Sequence, residues 1–221
     1  REIDSYLILP EYPASNEEIS RAHTHRYLRR LQYSRYIAQA LEISPLALLP
    51  SFILDEYVLK PMRWATKGTI IAAEEALKGG IAVNLSGGYH HADTEKGEGF
   101  CIYSDIGIAI KTLRYHQYLG EHEKVLIVDL DAHQGQGLER MFYDDKSIYF
   151  FDMYNKDIYP NDQWAQKRIN CNVPLHIGSE DREYLETLNK KLTNFLRRLK
   201  DIKLAFYNAG TDIYKGDPLG G

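Results

Sequence analysis

The chain has 221 residues, of which 44% are hydrophobic and 26% are charged. These values are ordinary for a globular protein that is large enough to bury a core. A net charge of -4 argues against a general nucleic-acid-binding protein, which would carry a strong basic excess. No apolar run reaches the roughly 18 residues that a membrane span requires.

The absence of linkers, of a disulfide framework and of a targeting segment indicates the domain organisation and the cellular compartment. No linker, repeat or low-complexity tract divides it, so we expect one domain over residues 1–221. Its two cysteines, Cys101 and Cys171, suggest no disulfide framework, which favours a reducing compartment. The chain opens at Arg1 without an apolar targeting segment. We therefore expect an intracellular protein, cytoplasmic or, in a eukaryote, also nuclear.

Helical and strand patterns alternate along the chain. Apolar spacings of three and four residues predict helices at Asn16 to Glu42 (interrupted near Thr24), Trp64 to Lys78, Tyr103 to Leu119 and Glu180 to Leu199. Short apolar runs predict strands at Gly80 to Leu85, Lys124 to Leu130, Ser147 to Met153, Cys171 to Leu175 and Lys203 to Asn208. Several of these runs are nearly continuous, as in parallel strands that are covered on both faces.

This alternation predicts an α/β fold with a mainly parallel sheet. The last helix is the clearest, since seven apolar residues share one face: Tyr184, Leu185, Leu188, Leu192, Phe195, Leu196 and Leu199. Ligands of such sheets lie beyond the carboxyl ends of the strands. Functional side chains should therefore follow the predicted strands.

The strand predicted at Lys124 to Leu130 runs directly into three ionisable residues: Asp129, Asp131 and His133. Residues two and four apart share one face of a strand, so these groups can converge. An Asp and a His two residues apart suit a zinc ion. The alternative is a solvated strand end with an incidental histidine.

Two other predicted strands end in polar groups. Gly87 and Gly88 allow a tight turn before His90 and His91, and imidazole is the usual general base near neutral pH. Asp212 follows the last strand and would complete a three-ligand metal site. The simpler interpretations are a histidine-capped loop and a turn or helix-cap aspartate. Together the clusters favour metal-assisted hydrolysis over serine, cysteine or phosphate-binding chemistry.

Five segments, in this order and spacing, resemble the zinc-dependent histone deacetylases of the arginase/deacetylase superfamily: Ser86 to Ala92, Gly99 to Cys101 with Asp105, Asp129 to His133, Ala209 to Asp212 and Gly216 to Leu219. Residues 131–135, 151–155 and 207–212 look most like the class IV branch. The resemblance implies a three-layer αβα sandwich that hydrolyses an Nε-acyl group from lysine or a similar amine.

The same resemblance assigns roles to individual residues. Zinc, or Fe²⁺ with the same ligands, would be bound by Asp131, His133 and Asp212. His90 and His91 would be the general-base and electrostatic pair. Gly99 and Phe100 would line the tunnel for the acyl-lysine stem, although Phe100 also suits an ordinary core position.

A structural potassium ion is a further implication of the resemblance. Asp129 would orient His90 and would also bind this ion, together with the backbone of Asp131 and His133. Asp152 and the carbonyl of Met153 match further positions of the cation site. A plain carboxylate at a strand edge is the alternative for Asp152.

The sequence departs from the family pattern in two ways. Gln134 and Gln136 stand where many members have a His and an Asp, so a neutral amide would face His91 from position 136. His91 would then have weaker support for its charged form. The family's catalytic Tyr, which follows the Gly-Asp-Pro-Leu-Gly segment in a Gly-Gly-Tyr setting, has no counterpart before Gly221. We therefore expect a fragment of a longer enzyme, itself inactive.

The leading hypothesis is a lysine deacylase acting on acetyl or longer fatty-acyl groups. Its partner would be an acyl-lysine protein or an acylated amine, with no direct nucleic-acid binding. A small-molecule amidohydrolase, such as an acetylpolyamine deacetylase, is the second enzyme hypothesis. A non-catalytic metal-binding scaffold is the third. The sequence does not indicate an oligomeric state.

Overall fold

The computed structural model describes residues 6–220, and its centre is one parallel sheet. The strands are β1 (Lys124–Asp129), β2 (Ile148–Asn155), β3 (Cys171–Leu175) and β4 (Ile202–Asn208). They lie in the order β3-β2-β1-β4, and every adjacent pair is parallel. The predicted α/β class and the mainly parallel sheet are therefore confirmed.

Nine α-helices surround this sheet: α1 (Asn16–Ser20), α2 (His25–Arg30), α3 (Ser34–Ala40), α4 (Ser51–Leu54), α5 (Lys60–Leu77), α6 (Asp105–Tyr115), α7 (Gln136–Met141), α8 (Gln163–Gln166) and α9 (Asp181–Leu196), counted within residues 6–220. The predicted interruption near Thr24 is real, because the Thr24 side chain caps the start of α2. Within the described part of the chain, no helix is both long and apolar enough to cross a membrane.

Side chains that alternate along β1 build two cores. Val125 and Ile127 pack in the larger core with residues of α5 and α6, whereas Leu126 and Val128 pack in the smaller core beside α9. Helices thus cover both faces of the sheet, as a three-layer αβα sandwich requires. The predicted face of the last helix is correct for five of its seven residues; Leu185 and Leu196 were wrongly included, since they are 60% and 45% exposed.

The strand predicted at Gly80 to Leu85 is the one wrong strand assignment. This stretch forms no strand, and Ile81, Val83 and Leu85 are 97%, 75% and 96% exposed. Asn84 instead hydrogen-bonds to α5, through the carbonyl of Ala65 and the hydroxyl of Thr69. A strand needs a hydrogen-bonding neighbour, and no described residue pairs with this stretch.

Candidate active site

Adjacent parallel strands bring three predicted metal ligands together. Asp131 and His133 follow β1, and Asp212 follows β4, which pairs with β1 over its whole length. One ligand atom from each of the three residues lies within 4.8 Å of the others. His133 Nδ1 is 3.1 Å from Asp131 Oδ1 and 2.7 Å from Asp212 Oδ2. The arrangement brings two carboxylates and one imidazole to a single point.

Backbone contacts hold this cluster in place. A Cβ on Gly210 would lie 2.4 Å from Asp131 Cα, so only glycine lets the two loops approach this closely. The backbone N–H of Ala132 donates to Asp212 Oδ1 at 2.9 Å, which fixes the third carboxylate across the gap between the loops. Two carboxylate oxygens and one imidazole nitrogen form a donor set that suits a divalent ion such as zinc.

The charges within the cluster also favour a cation at its centre. Burial opposes protonation of His133, but its hydrogen bonds to Asp131 and Asp212 outweigh burial and raise its pKa to about 10. Burial alone would raise the pKa of Asp131, yet the charge of His90 and the hydrogen bonds of His133 hold it below the usual value. Without a metal, the carboxylates therefore retain a proton on His133; a metal ion would replace that proton.

The first histidine of the pair is held by a buried carboxylate. His90 Nδ1 lies 2.7 Å from Asp129 Oδ2, and both residues are buried. The second oxygen of Asp129 accepts hydrogen bonds from Asn208 Nδ2 at 3.0 Å and from the Asp131 backbone at 3.2 Å. Burial disfavours the charged imidazole, but Asp129 and Asp131 raise the pKa of His90 to about 9. His90 is therefore an imidazolium at neutral pH.

The second histidine has the opposite character. His91 Nδ1 lies 2.6 Å from Oε1 of the buried Gln136 amide, and its Nε2 lies 3.2 Å from His90 Nε2. Burial, followed by the charge of His90, lowers the pKa of His91 to about 2. The site therefore pairs a charged imidazole, which can stabilise negative charge, with a neutral one, which can accept a proton.

Asp105 holds the turn that presents the two histidines. Gly87 and Gly88 have φ values of 100° and 78°, which glycine adopts at low cost. The Asp105 carboxylate accepts from the backbone N–H groups of Gly88 at 3.0 Å and Tyr89 at 2.8 Å. Sequence reasoning noted Asp105 without giving it a role. Its position at the first residue of α6 does not show that it reaches back to this turn.

The two predicted tunnel residues lie next to the histidine pair. A Cβ on Gly99 would lie 2.3 Å from Cδ2 of His91, so this position packs its backbone directly against the imidazole. Phe100 follows with φ 65° and is 46% exposed, which excludes the alternative of an ordinary core phenylalanine. The ring of Tyr159 stands edge-on to His91 with centroids 5.2 Å apart. Sequence reasoning missed Tyr159, although it lies just after the 151–155 segment, because the local sequence does not show that this loop packs against His91.

The residues predicted for a monovalent cation lie behind the histidine pair. Asp152 stands beside Asp129 in the register of β1 and β2 and is 1% exposed. One oxygen of Asp152 accepts from the Gly135 backbone at 2.9 Å, and the other has no hydrogen-bond partner among the described residues. Burial, reinforced by the nearby Glu139, raises the pKa of Asp152. The second oxygen of Asp152 can therefore share a proton with the Glu139 carboxyl group or accept a cation in place of that proton.

Glu139 is another buried acid that sequence reasoning missed. Its Oε2 accepts from Gln134 Nε2 at 2.7 Å, while Gln134 Oε1 accepts from the Asp162 backbone at 2.8 Å. Burial raises the pKa of Glu139 to about 7, and Asp129 adds to this rise. Gln134, noted as a departure from the family pattern, therefore supports this carboxylate and the following loop.

Comparisons with known proteins identify the family. The family model named histone deacetylase domain matches residues 2–221, so the chain belongs to the histone deacetylase family. It is 38% identical over 218 residues to histone deacetylase 2 of Arabidopsis thaliana, covering 99% of this chain and 55% of that protein. An uncharacterized protein of Picosynechococcus is 40% identical over 156 residues, covering 71% of this chain and 50% of its own length.

The structural comparison agrees with the sequence comparison. The crystal structure of an HDAC homologue complexed with SAHA superimposes with a TM-score of 0.74 at 27% identity. The alignment covers 94% of this chain and 58% of that one. The predicted arginase/deacetylase-type fold is therefore confirmed. The chain spans about half the length of the curated relatives that it matches.

Proposed function

We propose that the protein to which this chain belongs is a zinc-dependent hydrolase that removes acyl groups from the Nε atom of acyl-lysine in proteins. One observation carries the proposal: the cluster of Asp131, His133 and Asp212 lies beside two buried histidines, one charged and one neutral. Membership of the histone deacetylase family agrees with this chemistry. Within that family we propose the class IV branch, which residues 131–135, 151–155 and 207–212 resemble most.

Asp131, His133 and Asp212 would hold the metal. Zinc bound there would supply Lewis-acid polarisation of a water molecule and of the substrate carbonyl. Oxygen and nitrogen ligands also suit iron(II), so the ligand set does not by itself determine the metal. The requirement on the chain is that His133 gives up its proton, since a histidine ligand must be neutral.

The two histidines would have different roles in the reaction. His91 is neutral, and its Nε2 accepts the proton of the attacking water. His90 is charged and stabilises the negative charge that develops on the substrate carbonyl oxygen. Asp129 orients His90 and keeps it protonated through the 2.7 Å contact with Nδ1. This division predicts that each histidine is required for a different reason.

The substrate stem would lie between aromatic side chains at the entrance of the site. Phe100 is partly exposed, and Tyr159 packs beside His91. Aromatic surfaces suit the methylene groups of a lysine side chain. We propose acetyl or longer fatty-acyl groups as the group that is removed.

A substrate panel tests the proposed function. The intact protein, loaded with zinc, is assayed on acetyl-lysine and myristoyl-lysine peptides and on an acetylpolyamine, with Asp212→Ala as the metal-ligand control. Turnover of an acyl-lysine peptide that is lost in Asp212→Ala supports the proposal. Turnover of the acetylpolyamine alone would instead identify a small-molecule amidohydrolase. Bound zinc without any turnover would identify a scaffold.

We also propose a structural potassium ion beside the catalytic histidines. Asp129 and Asp152, with the backbone of Asp131, His133 and Met153, would be its ligands. The buried position of Asp152 beside Asp129 supports this assignment, because carboxylates that are adjacent in the interior need a cation or a proton between them. Potassium chloride should raise the melting temperature more than choline chloride at equal ionic strength, and Asp152→Ala should abolish the difference. An equal effect of the two salts on the wild type would refute the site.

A further inference from the structure

The Gln136 amide joins His91 to groups outside the site. Gln136 is fully buried, and its Oε1 lies 2.6 Å from His91 Nδ1. Its Nε2 donates to Glu98 Oε1 and to the Tyr159 hydroxyl, each at 3.2 Å. Both ends of the amide are therefore engaged, and the end that faces His91 determines which hydrogen bond His91 makes.

A primary amide fits the same space in two orientations, so its partners decide which one is adopted. A hydroxyl both donates and accepts, and Tyr159 is therefore compatible with either orientation. A carboxylate only accepts, so Glu98 requires the amide nitrogen on its side and directs the amide oxygen to His91. With an acceptor at Nδ1, His91 carries its proton there and leaves the lone pair on Nε2.

We propose that Glu98 is a positioning residue that fixes the tautomer of His91 through the Gln136 amide. The inference deepens the proposed function, on which it rests, because only a lone pair on Nε2 can accept the proton of the attacking water. Glu98 itself is two residues before Phe100 and contacts neither catalytic histidine directly in this arrangement. Its effect passes through one amide.

Glu98 also has an ordinary structural role that an experiment must separate from this one. Arg140 Nη1 donates to Glu98 Oε1 at 3.1 Å, and the Lys96 ammonium lies 2.7 Å from the carboxylate. Arg140 further pairs with Asp93 and Asp162. A purely structural Glu98 would therefore act by holding Arg140, and its loss would change stability rather than the orientation of the amide.

Two substitutions at position 98 test whether the Gln136 amide needs a hydrogen-bond acceptor there. Glu98→Gln keeps an oxygen that Arg140 holds toward Gln136, so kcat should stay within about threefold of the wild type. Glu98→Lys presents only donors, so the amide should turn its oxygen toward the introduced ammonium group and its nitrogen toward His91. We expect kcat to fall about tenfold or more, which corresponds to the free energy of one charge-assisted hydrogen bond. KM should change less than about twofold.

The same Glu98→Lys substitution made in a Gln136→Glu variant distinguishes the positioning role of Glu98 from a purely structural role. Gln136→Glu offers His91 an acceptor in either orientation, so adding Glu98→Lys in this background should not lower kcat further. If Glu98 acts only by holding Arg140, the repulsion between the introduced ammonium group and Arg140 persists, and the tenfold loss remains in both backgrounds. That result would overturn the proposal.

The tautomer itself can be read without any turnover. Imidazole ¹⁵N–¹H correlation spectra of the intact zinc-loaded protein should show the His91 proton on Nδ1 in the wild type and in Glu98→Gln, and on Nε2 in Glu98→Lys. An unchanged Nδ1 proton in Glu98→Lys contradicts the inference. Because this measurement needs no substrate, it decides the matter even if the panel of acylated substrates shows that the proposed function is wrong.

Discussion

His23 and His90 are buried to the same extent, yet they differ in charge. They are 2% and 3% exposed. Burial lowers the pKa of His23 to about 3, whereas Asp129 and Asp131 overcome burial and raise the pKa of His90 to about 9. The difference lies in the partners: His23 Nε2 accepts from the Ser104 backbone, and His90 Nδ1 donates to a carboxylate. Burial alone therefore does not identify a functional histidine.

The positions of the two residues in the fold explain their partners. His23 follows α1 in the helical layer, where its ring packs against the rings of Tyr27 and Tyr103. His90 follows a glycine turn at the carboxyl end of the sheet, where β1 delivers Asp129. The first environment keeps an imidazole neutral and fixed. The second keeps an imidazole charged and close to a cluster of metal-ligand type.

Removing the carboxylate should make His90 resemble His23, and this is the largest effect that we expect. Asp129→Asn removes the main group that opposes burial at His90 and leaves only the more distant Asp131, so the pKa of His90 should fall and the imidazole should lose charge at neutral pH. We expect kcat to fall by about 10²–10³, the usual cost of losing one group that stabilises developing negative charge. The measurement is steady-state turnover of the best acyl-lysine substrate, with the zinc content determined in parallel.

The matched control is Asp157→Asn, which removes the carboxylate from an exposed Asp–His pair. His176 Nδ1 lies 3.1 Å from Asp157 Oδ2, and the His176 side chain is 68% exposed. This substitution should leave kcat unchanged within about twofold. Equal losses in the two variants would mean that the buried carboxylate has no special role.

An acid-stability measurement tests the His23 side of the comparison. Its pKa is about 3 in the folded protein and 6.5 when exposed. Between these values the unfolded state binds a proton that the folded state does not, so stability falls as the pH decreases from 6.5 toward 3. The slope from this one group is at most about 1.4 kcal/mol per pH unit.

His23→Gln removes the imidazole that binds a proton in the unfolded state, and its amide oxygen can still accept from the Ser104 backbone. The free energy of unfolding, measured by urea denaturation from pH 7 to pH 4, should fall less steeply with acid in this variant. His122→Gln, at an exposed position, is the matched substitution. Identical slopes in the wild type and in His23→Gln would contradict the assignment of a buried neutral imidazole.

The smallest effect concerns His91, the proposed general base. Gln136→Asp would give His91 an anionic partner, which favours the charged imidazole and raises its pKa. Because the proposed base His91 can accept a proton only when it is neutral, the acidic limb of the pH profile of kcat/KM should move to higher pH. An acidic limb at the wild-type position would show that the group at position 136 does not control His91.

The fold was predictable where the signal is local. The apolar runs at β1 and β3 predicted strands within one residue of their observed ends, and the apolar face of α9 was mostly correct. The stretch from Gly80 to Leu85 has the same local pattern as β1 but forms no strand. Strand formation depends on a neighbour that hydrogen-bonds to it, and a local pattern contains no information about that neighbour.

The site was predictable where residues lie at strand ends and resemble a family motif. Asp131, His133 and Asp212 converge as expected, and His91 meets Gln136. The residues whose roles were missed, Asp105, Glu98, Tyr159 and Asn208, act through contacts with residues 16 or more positions away in the chain. Such contacts are set by tertiary packing, which spacing along the sequence does not show.

Anomalous diffraction at the zinc absorption edge tests the central claim most directly. Crystals of the intact protein grown with zinc should give one strong peak per chain, bounded by Asp131 Oδ1, His133 Nδ1 and Asp212 Oδ2. The same crystals of Asp212→Ala should lose that peak. A zinc peak elsewhere in the wild type, or an undiminished peak in Asp212→Ala, would contradict the assignment of the metal centre on which the proposed hydrolysis depends.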